Sequence, residues 1–287
     1  MTTTVSENNK NFHCKSCHFE KCLELGMQKE CEFELRVPIC SFVTVVKMEV
    51  VRNADSSQPT SSTTGISKIL KMSYPEVLMF YVGQTKRAMD RRLQGSSSTS
   101  PQDALEQFLQ TKKLTDQIAM ELCLVCPGTD LLERSDLDLM FQHCSFVSIW
   151  LDTALMSVSN YEAEKEKSGR EKTEDEFLRF NRHFQSTVTS ELARLKPDLY
   201  EYSALKAFCI WKLGLLDSSA AMKAVANEHY LAVTSALAHY YQSTKNLEQY
   251  EIASRIADIT LLLGPMFSVY QDVSQLYSNL NIKDCIE

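Results

Sequence analysis

The sequence predicts an all-α fold for most of the chain, and three observations support that prediction. Residues that break helices are scarce, with 8 Gly and 7 Pro among 287 residues, while residues that favour helices are plentiful. From residue 102 onward, apolar residues recur at steps of three and four, the period of a helix with one buried face. Residues 205–216, LKAFCIWKLGLL, are apolar almost all round, which predicts a helix in the central layer of the domain.

The amino-terminal part of the chain has a different composition. Residues 37–51 are rich in β-branched side chains, which favours a strand or a hydrophobic connector. Residues 52–65 are small, polar and rich in turn formers, so they cannot bury enough apolar surface to offset the entropy of ordering. We therefore predict a flexible hinge over residues 31–65, and a second short break over residues 94–101.

Cap residues and apolar stripes locate the individual helices. Three pairs have the residue types of helix N-caps: Ser135 with Asp138, Thr173 with Glu176, and Asp198 with Glu201. Three apolar stripes follow: Met140, Cys144, Val147, Leu151, Leu155 and Val158; Phe177, Phe180, Phe184, Val188, Leu192 and Leu195; Tyr230, Val233, Leu237 and Tyr240. Each stripe predicts one buried helix face.

The last long helix carries a seven-residue apolar repeat. Its seam alternates steps of four and three residues: Ile252, Ile256, Ile259, Leu263, Met266, Tyr270, Val273 and Tyr277. The Gly264-Pro265 pair interrupts it, and the proline ring predicts a kink there. Such a seam packs either inside the domain or against a second copy, and in the second case Ile252, Ile256, Ile259 and Leu263 form the dimer face.

Composition limits the classes of function. A net charge of −7 argues against a molecule that coats nucleic acid, so any DNA contact must be local. The first ten residues lack the basic start and apolar stretch of a secretory signal. No apolar run reaches the roughly 18 residues that span a membrane. We expect a reducing compartment and no membrane partner, with the ten cysteines serving as core thiols or metal ligands.

A cysteine cluster lies near the amino terminus. Cys14 and Cys17 have the Cys-x-x-Cys spacing of a zinc-chelating turn, but a structural zinc site needs four ligands. Two ordinary thiols are the alternative interpretation of this pair. Cys123 and Cys126 repeat the spacing and offer a way to complete the site, although their apolar surroundings favour burial in the core.

The residues around Cys14 and Cys17 form a motif that is more specific than the Cys-x-x-Cys spacing alone. CKSCHFEKCLELGM resembles the end of the second zinc module of nuclear hormone receptors, Cys-x-x-Cys-Arg-(Phe/Tyr)-x-Lys-Cys-Leu-x-x-Gly-Met. The resemblance implies that Cys14 and Cys17 are the last two zinc ligands and that Gly26 and Met27 end a helix of the module. It makes Lys15 and Lys21 candidates for contact with the DNA backbone, and Cys22 a packing residue.

This chain departs from the zinc-module pattern in several ways. The first zinc module, with its base-reading helix, has no counterpart here, and neither do the first two ligands of the second module. His18 replaces the usual Arg, and residues 10–36 carry five basic and five acidic side chains. We therefore expect half of a zinc site, and DNA binding that is lost or incomplete in what would be a truncated form.

The rest of the chain resembles the ligand-binding domain of divergent, nematode-type nuclear receptors, over residues 66–287. The resemblance lies in PDLYEYSALKAFCIWKLGLLDSS, NEHYLAVTSALAHYY and IASRIADITLLLG, with Arg255 at the family's usual Arg position. It implies a three-layer antiparallel helical sandwich whose incomplete middle layer holds a lipophilic ligand. Candidate wall residues, each of which is also compatible with plain core packing, are Phe146, Trp150, Phe208, Trp211, Met266 and Tyr270.

The family also binds coregulators through a terminal activation helix that closes over the pocket. Ile282, Asp284, Cys285 and Ile286 are a degenerate version of that helix. The candidate groove helix, 135–158, contains no Lys, and the usual Phe-x-x-Leu-x-x-x-Asp-Gln pattern is not recognisable. The basic run TKRAMDRRL fits nuclear import, phosphate contact or a solvated helix face.

Together these patterns predict a zinc-module remnant over residues 1–30, the hinge, and a helical domain over residues 66–287. The expected function is regulation of transcription in the nucleus, with DNA contact, coregulators, a homo- or heterodimer partner and a lipophilic ligand implied by the resemblance. The alternative is a helical interaction protein that dimerises with partner receptors and titrates them without binding DNA. An enzyme is not expected, because the six histidines form no His-Glu-x-x-His pair and no phosphate loop or Gly-x-Ser-x-Gly elbow occurs.

Overall fold

The computed structural model describes residues 65–95, 104–158, 175–213 and 218–282, and every regular element in these ranges is helical. The prediction of an all-α fold is therefore confirmed. An isolated antiparallel bridge joins Ile66 to Ser73 ahead of the first helix. The cysteine cluster, the 37–51 segment and the hinge up to residue 64 lie outside the described residues.

Eight helices follow one another along the described chain. Their bounds are α1, Tyr74–Gly95; α2, Ala104–Val125; α3, Arg134–Phe146, continued by Val147–Leu151 and residues 152–158; α4, Glu176–Phe184, continued by Gln185–Thr189 and Ser190–Leu195; α5, Leu199–Lys212; α6, Ala220–Tyr240, continued by Tyr241–Lys245; α7, Gln249–Leu261; α8, Leu263–Asn279. A short 3₁₀ turn, Thr129–Leu131, connects α2 to α3. The continuations Val147–Leu151, Gln185–Thr189 and Tyr241–Lys245 are π-helical, with one extra residue in the turn.

The middle of the domain is formed by segments of two helices that are buried on all sides. Residues 201–211 of α5 are all buried, and so are residues 143–152 of α3. Helix α5 packs against α1, α3, α6, α7 and α8, which places it in the central layer as its composition predicts. The predicted stripes of α3, α4 and α6 are likewise buried or half-buried.

The apolar seam at the end of the chain packs against the domain's own core. Ile259, Leu263, Met266 and Val273 are buried, and the other members of the seam are half-buried. Helices α7 and α8 are separated at Leu262, which confirms the predicted break near Gly264-Pro265.

The same region is the stretch among the described residues that is long and apolar enough to cross a membrane. Residues Gln249–Asn279 contain an 18-residue window of mean hydropathy 1.4, although the sequence shows no uninterrupted apolar run of that length. Length and composition alone are weak evidence for a membrane span, because core helices of soluble proteins have the same properties. Here the stretch is broken at Leu262 and its seam packs against the helical core.

The structure tests the three predicted helix starts. Asp198 caps α5 by accepting from the backbone N–H groups of Tyr200 and Glu201, each at 3.0 Å, which confirms the capping box. The prediction for α3 is wrong, because the helix begins at Arg134 after Glu133, with no side-chain cap. Helix α4 begins at Glu176 after Asp175, and Thr173 lies outside the described residues.

The capping residue Glu201 is also the centre of a buried ion pair. Its carboxylate is 1% exposed and accepts from Arg255 Nε at 2.7 Å and Nη2 at 2.9 Å, and from the Tyr241 hydroxyl at 2.9 Å. Burial raises the pKa of Glu201, but the hydrogen bonds from Arg255, the Asp198 backbone N–H and Tyr241 outweigh it, so its pKa is lowered. The pair therefore joins the start of α5 to α6 and α7.

Replacement of Glu201 by Gln should lower the free energy of unfolding by about 2 kcal/mol, because Arg255 loses its charged partner in a largely buried site. Urea unfolding followed by circular dichroism measures the change. Glu191→Gln, which removes the exposed pair with Arg194, is the matched control and should change stability by less than about 0.5 kcal/mol. Equal effects of the two substitutions would contradict the central role of the Glu201 pair.

Candidate functional site

The residues predicted to line a pocket belong to one hydrophobic core, but they have three different sets of neighbours. Five of the six are buried, and Tyr270 is half-buried. Phe146 of α3 and Tyr270 of α8 meet edge to face with ring centroids 5.2 Å apart, and Met266 is buried one turn before Tyr270. Phe208 contacts Tyr230 of α6 at 5.0 Å, while Trp211 packs on His229.

Trp150 is at the centre of an aromatic cluster that the sequence did not predict as a unit. Its ring lies 5.1 Å from Phe108 of α2, and 4.9 Å from Phe180 and 5.2 Å from Phe184 of α4. The Trp150 Nε1–H donates to the Tyr277 hydroxyl of α8 at 3.1 Å. Phe108 also contacts Phe177 at 5.0 Å. One buried indole therefore links four helices.

Trp211 lies in a different environment, in which its polar atom belongs to a chain of hydrogen bonds. Its Nε1–H donates to the Tyr81 hydroxyl at 2.6 Å, and that hydroxyl lies 3.0 Å from His229 Nδ1. The other ring nitrogen, His229 Nε2, lies 2.8 Å from the Pro127 carbonyl oxygen. A carbonyl only accepts, so Nε2 carries the proton and Nδ1 accepts from Tyr81. This chain connects α1, α5, α6 and the turn after α2.

Two buried histidines are held neutral by their surroundings. Burial lowers the pKa of His229 to about 4, and burial lowers that of His143 to about 4 as well. His143 Nδ1–H donates to the Ile210 carbonyl at 2.9 Å. These hydrogen bonds connect neighbouring helices, and His229 Nε2 also lies 4.0 Å from the Cys126 thiol sulfur.

A small cavity with both apolar and polar lining residues lies where α1, α2, α3 and α5 meet. Its volume is about 10 Å³, room for about one water molecule. The polar side chains that line it are Tyr81, Gln84, Thr85, Ser148 and Lys206. Lys206 Nζ donates to both carboxylate oxygens of Asp152, at 2.8 and 3.0 Å. None of the six predicted wall residues lines this cavity.

A larger groove is open at the surface between α4 and α8. Its volume is about 290 Å³, and it is lined by Glu176, Arg179, Phe180, His183, Asp272, Gln275 and Leu276. Phe180 is half-buried there and belongs both to the groove and to the Trp150 cluster.

The cysteines that the structure describes are free and buried. Cys123, Cys126, Cys144 and Cys209 form no disulfide among the described residues. Burial raises the pKa of the Cys126 thiol, which opposes the thiolate form that binds metal. No group of three or more potential ligands is placed to hold a metal within the described ranges. Cys14, Cys17, Lys15 and Lys21 lie outside those ranges, so the zinc site stays a prediction.

The structure describes all four residues of the predicted dimer face, but only the first residue of the predicted activation helix. Ile252 and Ile256 are half-buried, while Ile259 and Leu263 are buried. Ile282 is half-buried and its N–H donates to the Tyr277 carbonyl at 2.8 Å. Asp284, Cys285 and Ile286 lie outside the described residues.

The basic run on α1 does not form one surface. Lys86 and Arg87 are exposed, and Arg91 pairs with Glu121 at 2.8 Å. Arg92 is buried, 4.0 Å from Asp152.

Sequence reasoning missed Asp136. This buried carboxylate accepts from the Ser219 N–H at 3.3 Å and from its hydroxyl at 2.5 Å, and so joins α3 to the start of α6. Leu132 and Asp136 keep the four-residue spacing of the Leu and Asp in the pattern Phe-x-x-Leu-x-x-x-Asp-Gln. Thr129 and Leu137 stand at the Phe and Gln positions, which made the pattern hard to recognise.

Comparison with known proteins gives one consistent result. The family model for the ligand-binding domain of nuclear hormone receptors matches residues 117–278, from α2 to α8. Nuclear hormone receptor family member nhr-217 of Caenorhabditis elegans is 31% identical over 281 residues, which cover 94% of this chain and 72% of that protein. Family member nhr-169 of the same organism is 30% identical, and the match covers 94% of this chain and 81% of that protein. Family member nhr-77 is 33% identical over 80% of this chain, and the match spans 62% of that protein.

The two buried histidines predict acid sensitivity of the helical domain. Their folded pKa values of about 4 lie below the ordinary value near 6.5. Between those values the unfolded chain binds more protons than the folded one, so stability falls as the pH falls. We expect a loss of roughly 3 kcal/mol per histidine between pH 7 and pH 4.

Urea midpoints at several pH values measure this effect. His229→Gln should reduce the pH-dependent loss by about half, because one of two contributing groups is removed. His239→Gln, at an exposed position of α6, should leave the profile unchanged. A wild-type profile that stays flat from pH 7 to pH 5 would show that these imidazoles are not held neutral.

Proposed function

This chain belongs to the nuclear hormone receptor family, and from that membership we propose that it regulates transcription in the nucleus through coregulator contacts of its helical domain. The family is not one of enzymes. Its ligand-binding domain in general has ligand, coregulator and dimer partners.

One observation above all supports a coregulator surface. Leu124, Val125 and Leu131 are 74%, 55% and 50% exposed at the end of α2 and in the turn that follows. Single exposed apolar residues are common, but three large ones within eight positions mark an interaction surface. An amphipathic helix of a partner would bury its apolar face on them.

A cation three residues after Leu131 in the sequence supports the same proposal. The Arg134 side chain is 81% exposed at the start of α3, and it pairs with Asp138 at 3.0 Å. An exposed guanidinium favours the carboxyl-terminal end of a docked helix, where carbonyl groups carry partial negative charge. The 135–158 segment contains no Lys, so Arg134 is the cation that we assign to this contact.

The proposed zinc and DNA contacts involve only residues 1–30. Cys14 and Cys17 supply two thiolates of the four that a structural zinc site needs. Lys15 and Lys21 would contact the DNA backbone there. A DNA-reading module of the family's kind therefore needs ligands besides these two cysteines.

The full chain, tethered to a reporter promoter through a heterologous DNA-binding domain, tests the coregulator proposal. We expect reporter output to change several-fold, because a bound coregulator changes transcription whatever tethers it. The double substitution Leu124→Asp and Leu131→Asp should return output to baseline without lowering the melting temperature, since both side chains are exposed.

Leu231→Asp is the control for this experiment. Leu231 is 50% exposed on α6, so the substitution adds a comparable charge at a different surface. The variant should behave as the wild type does. A tethered wild-type chain that leaves the reporter at baseline would contradict the proposal.

The alternative function, a dimerising partner that titrates other receptors, has support of its own on α7. Tyr250 and Leu261 are 74% and 66% exposed. They are eleven residues apart, about three helical turns, so they share one face of the helix. A two-fold dimer through this face would bury Tyr250 and Leu261 of both copies.

Sedimentation equilibrium at micromolar concentration tests this alternative. We expect a dimer for the full chain and a monomer for Leu261→Glu, since a charge at the centre of an apolar contact prevents its burial. Leu231→Glu on α6 should remain dimeric. A wild-type monomer at all accessible concentrations would exclude self-association through this face.

A further inference from the structure

We propose that the small cavity where α1, α2, α3 and α5 meet binds one ordered water molecule, held between the Ser148 hydroxyl of α3 and the Lys206 ammonium of α5. The site is independent of the surfaces assigned above to coregulators and dimer partners. It connects the two most deeply buried helix segments of the domain through a polar contact inside the core.

Ser148 supplies the first polar group of this site. It is 1% exposed, it lines the cavity, and its Oγ has no hydrogen-bond partner among the described residues. Hydroxyls of other helices donate to a carbonyl one turn earlier, as Ser203 does to the Leu199 carbonyl at 2.7 Å. A buried hydroxyl that lacks such a bond has lost the water that solvates it in the unfolded chain. An ordered water beside Ser148 restores that hydrogen bond.

Lys206 supplies the second polar group. Its ammonium is buried and carries three N–H bonds. Two of them donate to the carboxylate of Asp152, at 2.8 and 3.0 Å. Lys206 also lines the cavity that Ser148 lines. The third N–H is therefore available for an acceptor in the cavity, and a water oxygen can accept it while the same water bonds to Ser148.

The size and lining of the cavity define the class of its occupant. A volume of about 10 Å³ holds about one water molecule and excludes a lipophilic ligand. Gln84 and Thr85 of α1 line the cavity as well and offer further hydrogen bonds, and buried waters typically make about three. Asp152 already balances the charge of Lys206, so the site does not require an anion.

A water at this position lies between two polar clusters of the core. Lys206 belongs to the ion pair with Asp152. Tyr81, which lines the same cavity, belongs to the hydrogen-bonded chain with Trp211 and His229. Loss of the water would leave an unpaired hydroxyl and an unused ammonium N–H at the boundary of these clusters, where unsatisfied polar groups are costly.

A crystal structure of the full chain, at a resolution that shows ordered water, tests the site directly. We expect one peak of water density in the cavity, about 2.7 to 3.2 Å from both Ser148 Oγ and Lys206 Nζ. In crystals of Ser148→Ala the peak should lose occupancy, because the water has lost one of its two anchors.

Thermal unfolding gives a second measurement. Ser148→Ala should lower the melting temperature by about 3 °C, as expected when a hydrogen-bonded buried hydroxyl is removed. Thr189→Val is the matched control. Thr189 is buried and its hydroxyl has no partner among the described residues, but it lines neither this cavity nor the groove between α4 and α8. Removal of a hydroxyl that stays unpaired should leave the melting temperature unchanged or raise it.

Three results would overturn the proposal. The first is a wild-type cavity without density, or a Ser148 hydroxyl that donates to a backbone carbonyl instead. The second is an anomalous peak in the cavity of a bromide-soaked crystal, which would assign the site to an anion. The third is an equal change in melting temperature for Ser148→Ala and Thr189→Val. None of these measurements depends on transcription or on self-association.

Discussion

The buried Glu201–Arg255 pair is the interaction on which the arrangement of the helical body depends. A buried carboxylate is costly unless its oxygens are all hydrogen-bonded. Here Oε1 accepts from Arg255 and Tyr241, and Oε2 accepts from Arg255 and the Asp198 N–H. Arg255 also donates to the Leu195 carbonyl at the end of α4. The Glu201–Arg255 pair thereby connects α4, α6 and α7 to the start of α5.

The hydrophobic core is one continuous cluster, and it contains two neighbourhoods of different chemistry. One part contains Trp211, Tyr81 and His229, whose hydrogen bonds end on the Pro127 carbonyl. The other is the aromatic cluster around Trp150, whose ring contacts come from α2 and α4. A chain of satisfied hydrogen bonds allows one arrangement, since each displaced group would leave a buried partner unpaired.

Local features of the fold were predictable from the sequence, and long-range contacts were not. The Asp198–Glu201 capping box and the apolar stripes involve residues within a turn or two of each other, so their spacing specifies them. Periodicity shows which face of a helix is apolar but not which helix it meets. The six wall residues were therefore grouped as one pocket, although Trp211 and Trp150 lie in different parts of the core. Asp136 was missed for the same reason, since its partner Ser219 is 83 residues away.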